Sequence, residues 1–146
     1  MRFAKSLLPL CAALLIFVAA IAAIHLAFAN APQPRTAKSV MLMYVGAKNC
    51  APCDAWQRGE GAVFRTTPEY SGLFYTEVKS ASLRDVLDDV NWPEDLRAYR
   101  GLIDRNAGVP LWMVIADGQL VHQDFGLLQW RRTVLPAIVN LLHSAK

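Results

Sequence analysis

The hydrophobic residues of this chain fall into short continuous runs and longer amphipathic stretches. Residues 40–45 and 111–116 are apolar throughout, which is typical of buried strands. Residues 73–78 have the aromatic and β-branched composition of another strand. Asp117-Gly118 is a two-residue hairpin signal, so residues 119–125 are predicted to return as a fourth strand.

Amphipathic stretches between these runs predict the helices. Residues 51–65 form the first, with two internal glycines that weaken its middle. Pro93 suits the first turn of a second helix, because acidic residues and an apolar stripe follow it. Residues 127–142 form the last, and Pro136 within it predicts a kink or a break.

The resulting order, β-α-β-α-β-β-α, predicts an α/β fold with a mixed four-stranded sheet flanked by helices. The first two connections are expected to be crossovers, which would make the first three strands parallel. The hairpin then adds an antiparallel strand.

The N-terminus predicts export. Arg2 and Lys5 precede residues 7–29, which contain no Asp, Glu, Lys or Arg, and Ala27-Phe28-Ala29 offers a signal-peptidase site. Residues 1–29 are therefore a cleaved signal peptide or an uncleaved membrane anchor, since the apolar stretch is long enough to cross a bilayer.

Either form of the leader puts the rest of the chain outside the cytoplasm, because the positive charge comes before the apolar stretch. Residues 30–39 are a proline-containing linker, and residues 40–146 form the domain. The domain is expected in the periplasm or an equivalent compartment, secreted or tethered to the inner membrane by residues 7–29.

Charge excludes one class of function. The net charge is +3, with 15 basic and 12 acidic side chains, and two of the basic residues belong to the leader. The remainder is nearly neutral with signs interspersed, so the basic patch of a nucleic-acid-binding protein is missing.

The cysteines suggest redox chemistry. Cys11 lies in the leader, which leaves Cys50 and Cys53 at the end of a predicted strand and the start of a helix. Unpaired N–H groups at a helix start would stabilise a Cys50 thiolate, and Cys53 lies one turn away. We assign Cys50 as the nucleophile and Cys53 as the resolving thiol, with Ala51 and Pro52 as supporting residues. The loop that this pair closes is too small for an effective staple.

The C-x-x-C spacing also suits uses of the pair other than redox catalysis. Zinc sites share this spacing, but only His122 and His143 remain as further soft or borderline ligands after the linker. The pair is also compatible with a static disulfide, with a non-catalytic binding or chaperone module, and with a copper-handling protein. We expect no metal and no cofactor beyond the redox-active disulfide itself.

Two blocks of sequence together resemble the thioredoxin superfamily. The first is the strand 40–45 leading into Cys50-Ala51-Pro52-Cys53, and the second is Gly108-Val109-Pro110 followed by the strand and hairpin. The resemblance implies that Pro110 is cis and faces the dithiol. It also implies that the backbone of Val109 receives an extended client segment.

The chain departs from the thioredoxin pattern in ways that suggest a specialised periplasmic relative. Asn49 stands where that pattern has Trp, Tyr44 stands where it has a buried acid, and the dipeptide is Ala-Pro. The proton acceptor for Cys53 is thus open, with Tyr44, Asp54 and solvent as candidates. The resemblance favours reduction of protein disulfides over oxidation, because the dipeptide lacks histidine. Expected partners are a client protein and an upstream redox partner such as a membrane thiol reductase.

Overall fold

The computed structural model describes residues 37–143. The predicted leader, most of the linker and Cys11 lie outside the described residues. Within residues 37–143, no helix is both long enough and apolar enough to cross a membrane.

The described chain forms one mixed sheet. Its strands are β1 (Val40–Ala47), β2 (Phe74–Ser80), β3 (Leu111–Ala116) and β4 (Gln119–Phe125). Their order is β2-β1-β3-β4, with β1 parallel to β2 and with β3 antiparallel to both of its neighbours. The predicted α/β fold with a four-stranded mixed sheet is confirmed.

Three helices connect β1 to β2, namely α1 (Ala51–Arg58), α2 (Glu60–Phe64) and α3 (Pro68–Ser71). The predicted weakness at the glycines is present, because Gly59 leaves helical geometry with a ψ of −107° and separates α1 from α2. Gly61 is buried against the ring of Trp56, where a Cβ atom would lie only 2.8 Å from ring carbons.

The prediction that β3 runs parallel to the first two strands is wrong. Ala47 pairs with Ser80 at one end of the sheet, and Val45 pairs with Leu111 close to the same end. The connection between β2 and β3, residues 81–110, therefore returns to the same end of the sheet, where β3 starts on the other side of β1 from the point where β2 stops. A parallel crossover needs an element that runs back along the sheet, and this connection contains none.

Residues 81–110, which we call the connection, hold only short helical pieces. These are 3₁₀ turns at Leu83–Asp85, Asp89–Asn91 and Glu94–Leu96, and one turn of helix, α4 (Arg97–Arg100). The helix expected after Pro93 is thus much shorter than its apolar stripe suggested.

The C-terminal helical segment is irregular, as Pro136 predicted. It consists of α5 (Leu127–Gln129), a π-helical stretch at Trp130–Val134, and α6 (Leu135–His143). The irregular turns lie on the N-terminal side of the proline, because proline cannot donate to this part of the helix and its ring crowds the carbonyl one turn back.

An aromatic cluster fixes α1 to the sheet. Trp56 of α1 stacks on Tyr44 of β1 with 5.0 Å between ring centroids, and it meets Trp112 and Trp130 edge-on at 5.3 and 5.1 Å. All four side chains are buried. Since α1 starts at the cysteine pair, this cluster sets the position of the pair relative to the sheet.

A charged network borders the cluster on the same face. Glu77 of β2 accepts hydrogen bonds from Gln57 at 3.0 Å and from Arg65 at 3.1 Å, and it also contacts Tyr75 and Lys79. Burial alone would raise the pKa of Glu77, but hydrogen bonds from Lys79, Tyr75 and Gln57 and the charge of Lys79 lower this pKa to about 2.

The β3–β4 turn is linked to the start of the described chain. Asp117 and Gly118 both have positive φ, at 51° and 80°, as a tight hairpin turn requires. The Asp117 carboxylate accepts the backbone N–H groups of Lys38 and Ser39 at 2.9 and 3.0 Å. This link lies at the end of the sheet opposite the cysteine pair.

Candidate functional site

The candidate site is a disulfide at the end of β1. Cys50 and Cys53 are bonded to each other, with 5.2 Å between their Cα atoms. Cys50 is the N-cap of α1 and Cys53 lies in its first turn. The predicted pair of cysteines is thus joined at the predicted boundary between strand and helix.

The sulfur of Cys50 faces the helix start. Cys50 Sγ accepts the backbone N–H of Cys53 at 3.2 Å, in the way that a capping side-chain oxygen does. Pro52 fits in this first turn, since the N–H that it lacks has no partner within the helix. When the disulfide is reduced, negative charge on Cys50 would be stabilised by this N–H and by the helix dipole.

Both cysteines are buried in the disulfide state. The exposed fractions are 4% for Cys50 and 2% for Cys53. The carbonyl oxygen of Val109 lies 3.9 Å from Cys50 Sγ. The loop that carries Val109 therefore covers the sulfur.

This loop places a backbone edge beside the disulfide. The Val109–Pro110 peptide bond is cis, and the carbonyl of Pro110 accepts the N–H of Gly126 at 2.8 Å. Between residues 37 and 143, neither the N–H nor the carbonyl of Val109 forms a backbone–backbone hydrogen bond. The fold thus brings Val109 and Pro110 to Cys50, and it leaves the Val109 edge unpaired.

Of the two side chains suggested as the proton acceptor for Cys53, Tyr44 is not a suitable base. Burial raises the pKa of Tyr44 to about 12, so its hydroxyl keeps its own proton at neutral pH. Asp54 is exposed and forms an ion pair with Arg58.

Asn49 has a structural contact that the sequence did not reveal. Its side-chain oxygen accepts the backbone N–H of Leu83 at 2.8 Å, which ties the loop before the cysteines to the connection. No local pattern predicts this bond, since the partners are 34 positions apart.

The large tryptophan and methionine side chains of the sheet and helices are packing residues. Trp56, Trp112 and Trp130 are buried in the aromatic cluster, and Met43 and Met113 face each other in the buried strands β1 and β3. Residues 37–143 contain no group of three or more His, Cys, Asp or Glu side chains arranged to hold a metal ion.

Comparison by sequence finds no relative. No family model matches the chain, and no curated protein does.

Comparison of structures finds thioredoxins. The periplasmic thioredoxin SoxS of Paracoccus pantotrophus, in its reduced form, is 13% identical with a TM-score of 0.50, covering 74% of this chain and all of its own. Thioredoxin Mala s 13 of Malassezia sympodialis is 18% identical with a TM-score of 0.49, covering 73% of this chain and 80% of its own. Trxlp of Edwardsiella tarda is 18% identical with a TM-score of 0.41, covering 64% and 77%.

At these identities the likeness concerns the fold. Three observations indicate the same fold: the SoxS match, the β2-β1-β3-β4 order of the sheet, and the disulfide at the start of α1. The described chain therefore has the thioredoxin fold, as its resemblance to that superfamily predicted.

Proposed function

We propose that this protein is an exported thiol–disulfide oxidoreductase that reduces disulfides in client proteins. One observation carries the proposal: the sulfur of Cys50 accepts a helix N-terminal N–H group and lies beside the unpaired backbone edge of Val109. A nucleophilic thiolate needs the first feature, and a peptide substrate needs the second.

The reaction begins with the reduced dithiol. The Cys50 thiolate attacks one sulfur of a client disulfide, that S–S bond breaks, and the other client sulfur leaves as a thiolate that takes a proton. Cys53 then loses its proton and attacks Cys50 Sγ. The Cys50–Cys53 disulfide forms, and the second client thiolate leaves. The client gains two electrons and the protein loses two.

Client binding would use the backbone of Val109. An extended segment can add to an unpaired edge through main-chain hydrogen bonds, as strands do. This arrangement would hold the client sulfur close to Cys50, because the Val109 carbonyl lies 3.9 Å from Cys50 Sγ. Pro110 fixes the loop from the other side through its bond with Gly126.

Regeneration requires a second dithiol protein. In the proposed cycle, the oxidised Cys50–Cys53 pair takes two electrons from an upstream dithiol, such as one presented by a membrane thiol reductase. The charged and apolar leader at residues 1–29 supports an extracytoplasmic site for this cycle, as does the fold likeness to a protein named a periplasmic thioredoxin.

Trapping tests the assigned roles. Cys53→Ser should accumulate mixed disulfides with protein substrates through Cys50, because the resolving thiol is gone, whereas Cys50→Ser should accumulate few. Equal trapping by both variants would contradict the roles. Wild-type protein that reduces no protein disulfide would favour a non-catalytic binding module.

Redox equilibration with glutathione tests the direction. A reduction potential near ~−270 mV favours reduction of clients, and one near ~−120 mV favours oxidation. For the compartment, a reporter that folds only in the cytoplasm should stay inactive when fused after Lys146, and its activity would contradict export.

A further inference from the structure

A cavity of about 360 Å³ opens next to Val109, on the side of the connection. The large apolar side chains that line it are those of Leu83, Val86, Leu87, Ile103, Val109 and Leu111. This volume lies near the lower end of the range of about 300 to 1,000 Å³ for pockets that hold whole small molecules, so the cavity has room for one large side chain. We call it the Val109 pocket.

The wall of the Val109 pocket is fixed by side chains that bond to its main chain. Asn49 binds the N–H of Leu83, Trp92 donates to the carbonyl of Val86 at 2.8 Å, and Arg100 donates to the carbonyl of Leu87 at 2.7 Å. A wall held in this way is formed before a ligand arrives, which lowers the entropic cost of binding.

Two large apolar side chains of this wall remain half exposed. Leu83 and Leu87 are 48% and 51% exposed, although each lines the cavity. Burying such surface is favourable at about 25 cal/mol per Å². An apolar side chain that enters the cavity would therefore gain contact with both leucines.

Some charged side chains at the pocket have a partner within the described chain, and one has none. Arg100 is paired with Asp89, and the Asp104 carboxylate accepts the N–H of Asn106 at 2.8 Å. Arg105 also lines the cavity, but it forms no ion pair with any residue from 37 to 143. Its guanidinium is thus free to pair with a carboxylate from outside.

We propose that the Val109 pocket selects clients, by receiving an apolar side chain of the segment that pairs with Val109 while Arg105 meets a carboxylate of that segment. The inference rests on the proposed function, since it names the substrates of the same disulfide. The occupant is an extended client segment because Val109 belongs both to the edge beside Cys50 and to the pocket lining. A client cysteine at Cys50 brings its sequence neighbours to the cavity.

The test uses full-length reduced protein and short peptides. Each peptide carries one cysteine in a mixed disulfide with glutathione, and Leu or Ser occupies one of the two positions on either side of it. We expect Leu to react about 10-fold faster than Ser at one position at least, which is the scale of discrimination in hydrophobic pockets. Glutathione disulfide itself is the reference substrate without a side chain for the pocket.

A matched pair of variants isolates the pocket. Leu87→Glu should reduce the Leu preference to about 2-fold or less, while Leu102→Glu should preserve it, because Leu102 is equally 51% exposed on the same connection but does not line the cavity. Leu83→Glu changes a second residue of the pocket lining and should reduce the Leu preference in the same way. Leu102→Glu should react normally with glutathione disulfide, and unchanged far-ultraviolet circular dichroism shows that all three variants are folded.

The carboxylate contact has its own comparison. A peptide with Glu beside its cysteine should react with the protein about 2- to 5-fold faster than the same peptide with Gln, which is the range of an exposed ion pair. Arg105→Gln should abolish this advantage. Arg132→Gln should not, because Arg132 is exposed on the π-helical stretch and does not line the pocket.

The outcomes separate the two proposals. Failure of wild-type protein to react with any disulfide, including glutathione disulfide, would overturn the proposed function. Normal reaction with equal rates for Leu and Ser, or an equal Leu preference in the Leu87→Glu and Leu102→Glu variants, would overturn the Val109 pocket alone. An unchanged Glu advantage in Arg105→Gln would overturn the ion pair.

Discussion

Two regions of different construction meet at the disulfide. The frame, which consists of β1, α1 and the β3–β4 hairpin, is held by strand ladders and by the rings around Trp56. The connection, residues 81–110, is held by the burial of Val86, Trp92 and Leu96 and by hydrogen bonds from the side chains of Asn49, Trp92 and Arg100 to main-chain groups. The frame supplies both cysteines, and the connection supplies Val109 and the pocket wall. The cysteines thus lie where strand ladders and ring packing fix the chain, whereas the proposed recognition surface lies on a region without long helices or strands.

The largest effect should come from the frame. Trp56→Ala removes the ring that contacts Tyr44, Trp112 and Trp130, and we expect a loss of about 3–5 kcal/mol in the free energy of unfolding. Chemical denaturation measures it, and Trp56→Phe, which keeps a ring, should lose less. Losses below ~1 kcal/mol for the alanine variant would show that the cluster does not hold the frame.

A smaller effect is expected at the edge of the frame, from Glu77→Gln. We expect a loss of about 1–3 kcal/mol at pH 7, since hydrogen bonds to a charged group are broken. The pKa of Glu77 is lowered by folding to about 2, so its contribution is present above the unfolded pKa near 4.5 and is lost as pH falls towards 2.

Denaturation midpoints between pH 7 and pH 2 check this prediction. The midpoint of wild-type protein should fall more steeply below pH 4.5 than that of Glu77→Gln. If the midpoints of the two proteins fall in parallel as the pH is lowered, ionisation of Glu77 does not contribute to stability and the prediction is wrong.

In the connection, Trp92→Phe should cost about 1–2 kcal/mol, because the carbonyl of Val86 loses its partner while most of the ring remains. The damage should stay local. Hydrogen exchange should accelerate for amides of residues 83–91 and remain unchanged in β3. Equal acceleration in both regions would mean that the connection and the frame unfold together.

The smallest effect is expected where the two regions are joined. Asn49→Ala should cost about 1 kcal/mol, since one hydrogen bond to the N–H of Leu83 is lost. The exchange rate of the Leu83 amide measures it directly. Lys48→Ala is the control, because only the backbone of Lys48 is bonded, to Ser80. A protected Leu83 amide in Asn49→Ala would contradict the assigned link.

The frame could largely be predicted from sequence because its signals are local. Residues 111–116 and 119–125 have the predicted bounds of β3 and β4, and Asp117-Gly118 forms the expected turn. Alternation, apolar runs and turn chemistry are properties of neighbouring residues, so a single sequence contains them.

The connection could not be predicted, because its structure depends on contacts between distant residues. The stripe after Pro93 predicted a regular helix, yet the connection forms only short helical turns that bury Val86, Trp92 and Leu96. The direction of β3 follows from this arrangement, and so does the contact between Asn49 and Leu83. The near-equal burial of the cysteines likewise arises from Val109, which lies 59 positions along the chain from Cys50.

The hydrogen bonds from the backbone of Lys38 and Ser39 to Asp117 fix the start of β1 to the β3–β4 turn. Polypeptide preceding residue 37 joins at this end of β1, whereas Cys50 follows the other end, roughly 25 Å away at ~3.3 Å per strand residue. The disulfide and the Asp117 link therefore lie at opposite ends of the sheet. In the proposed cycle, the client and the upstream reductant both react at the one disulfide at the cysteine end, so the two reactions have to take turns.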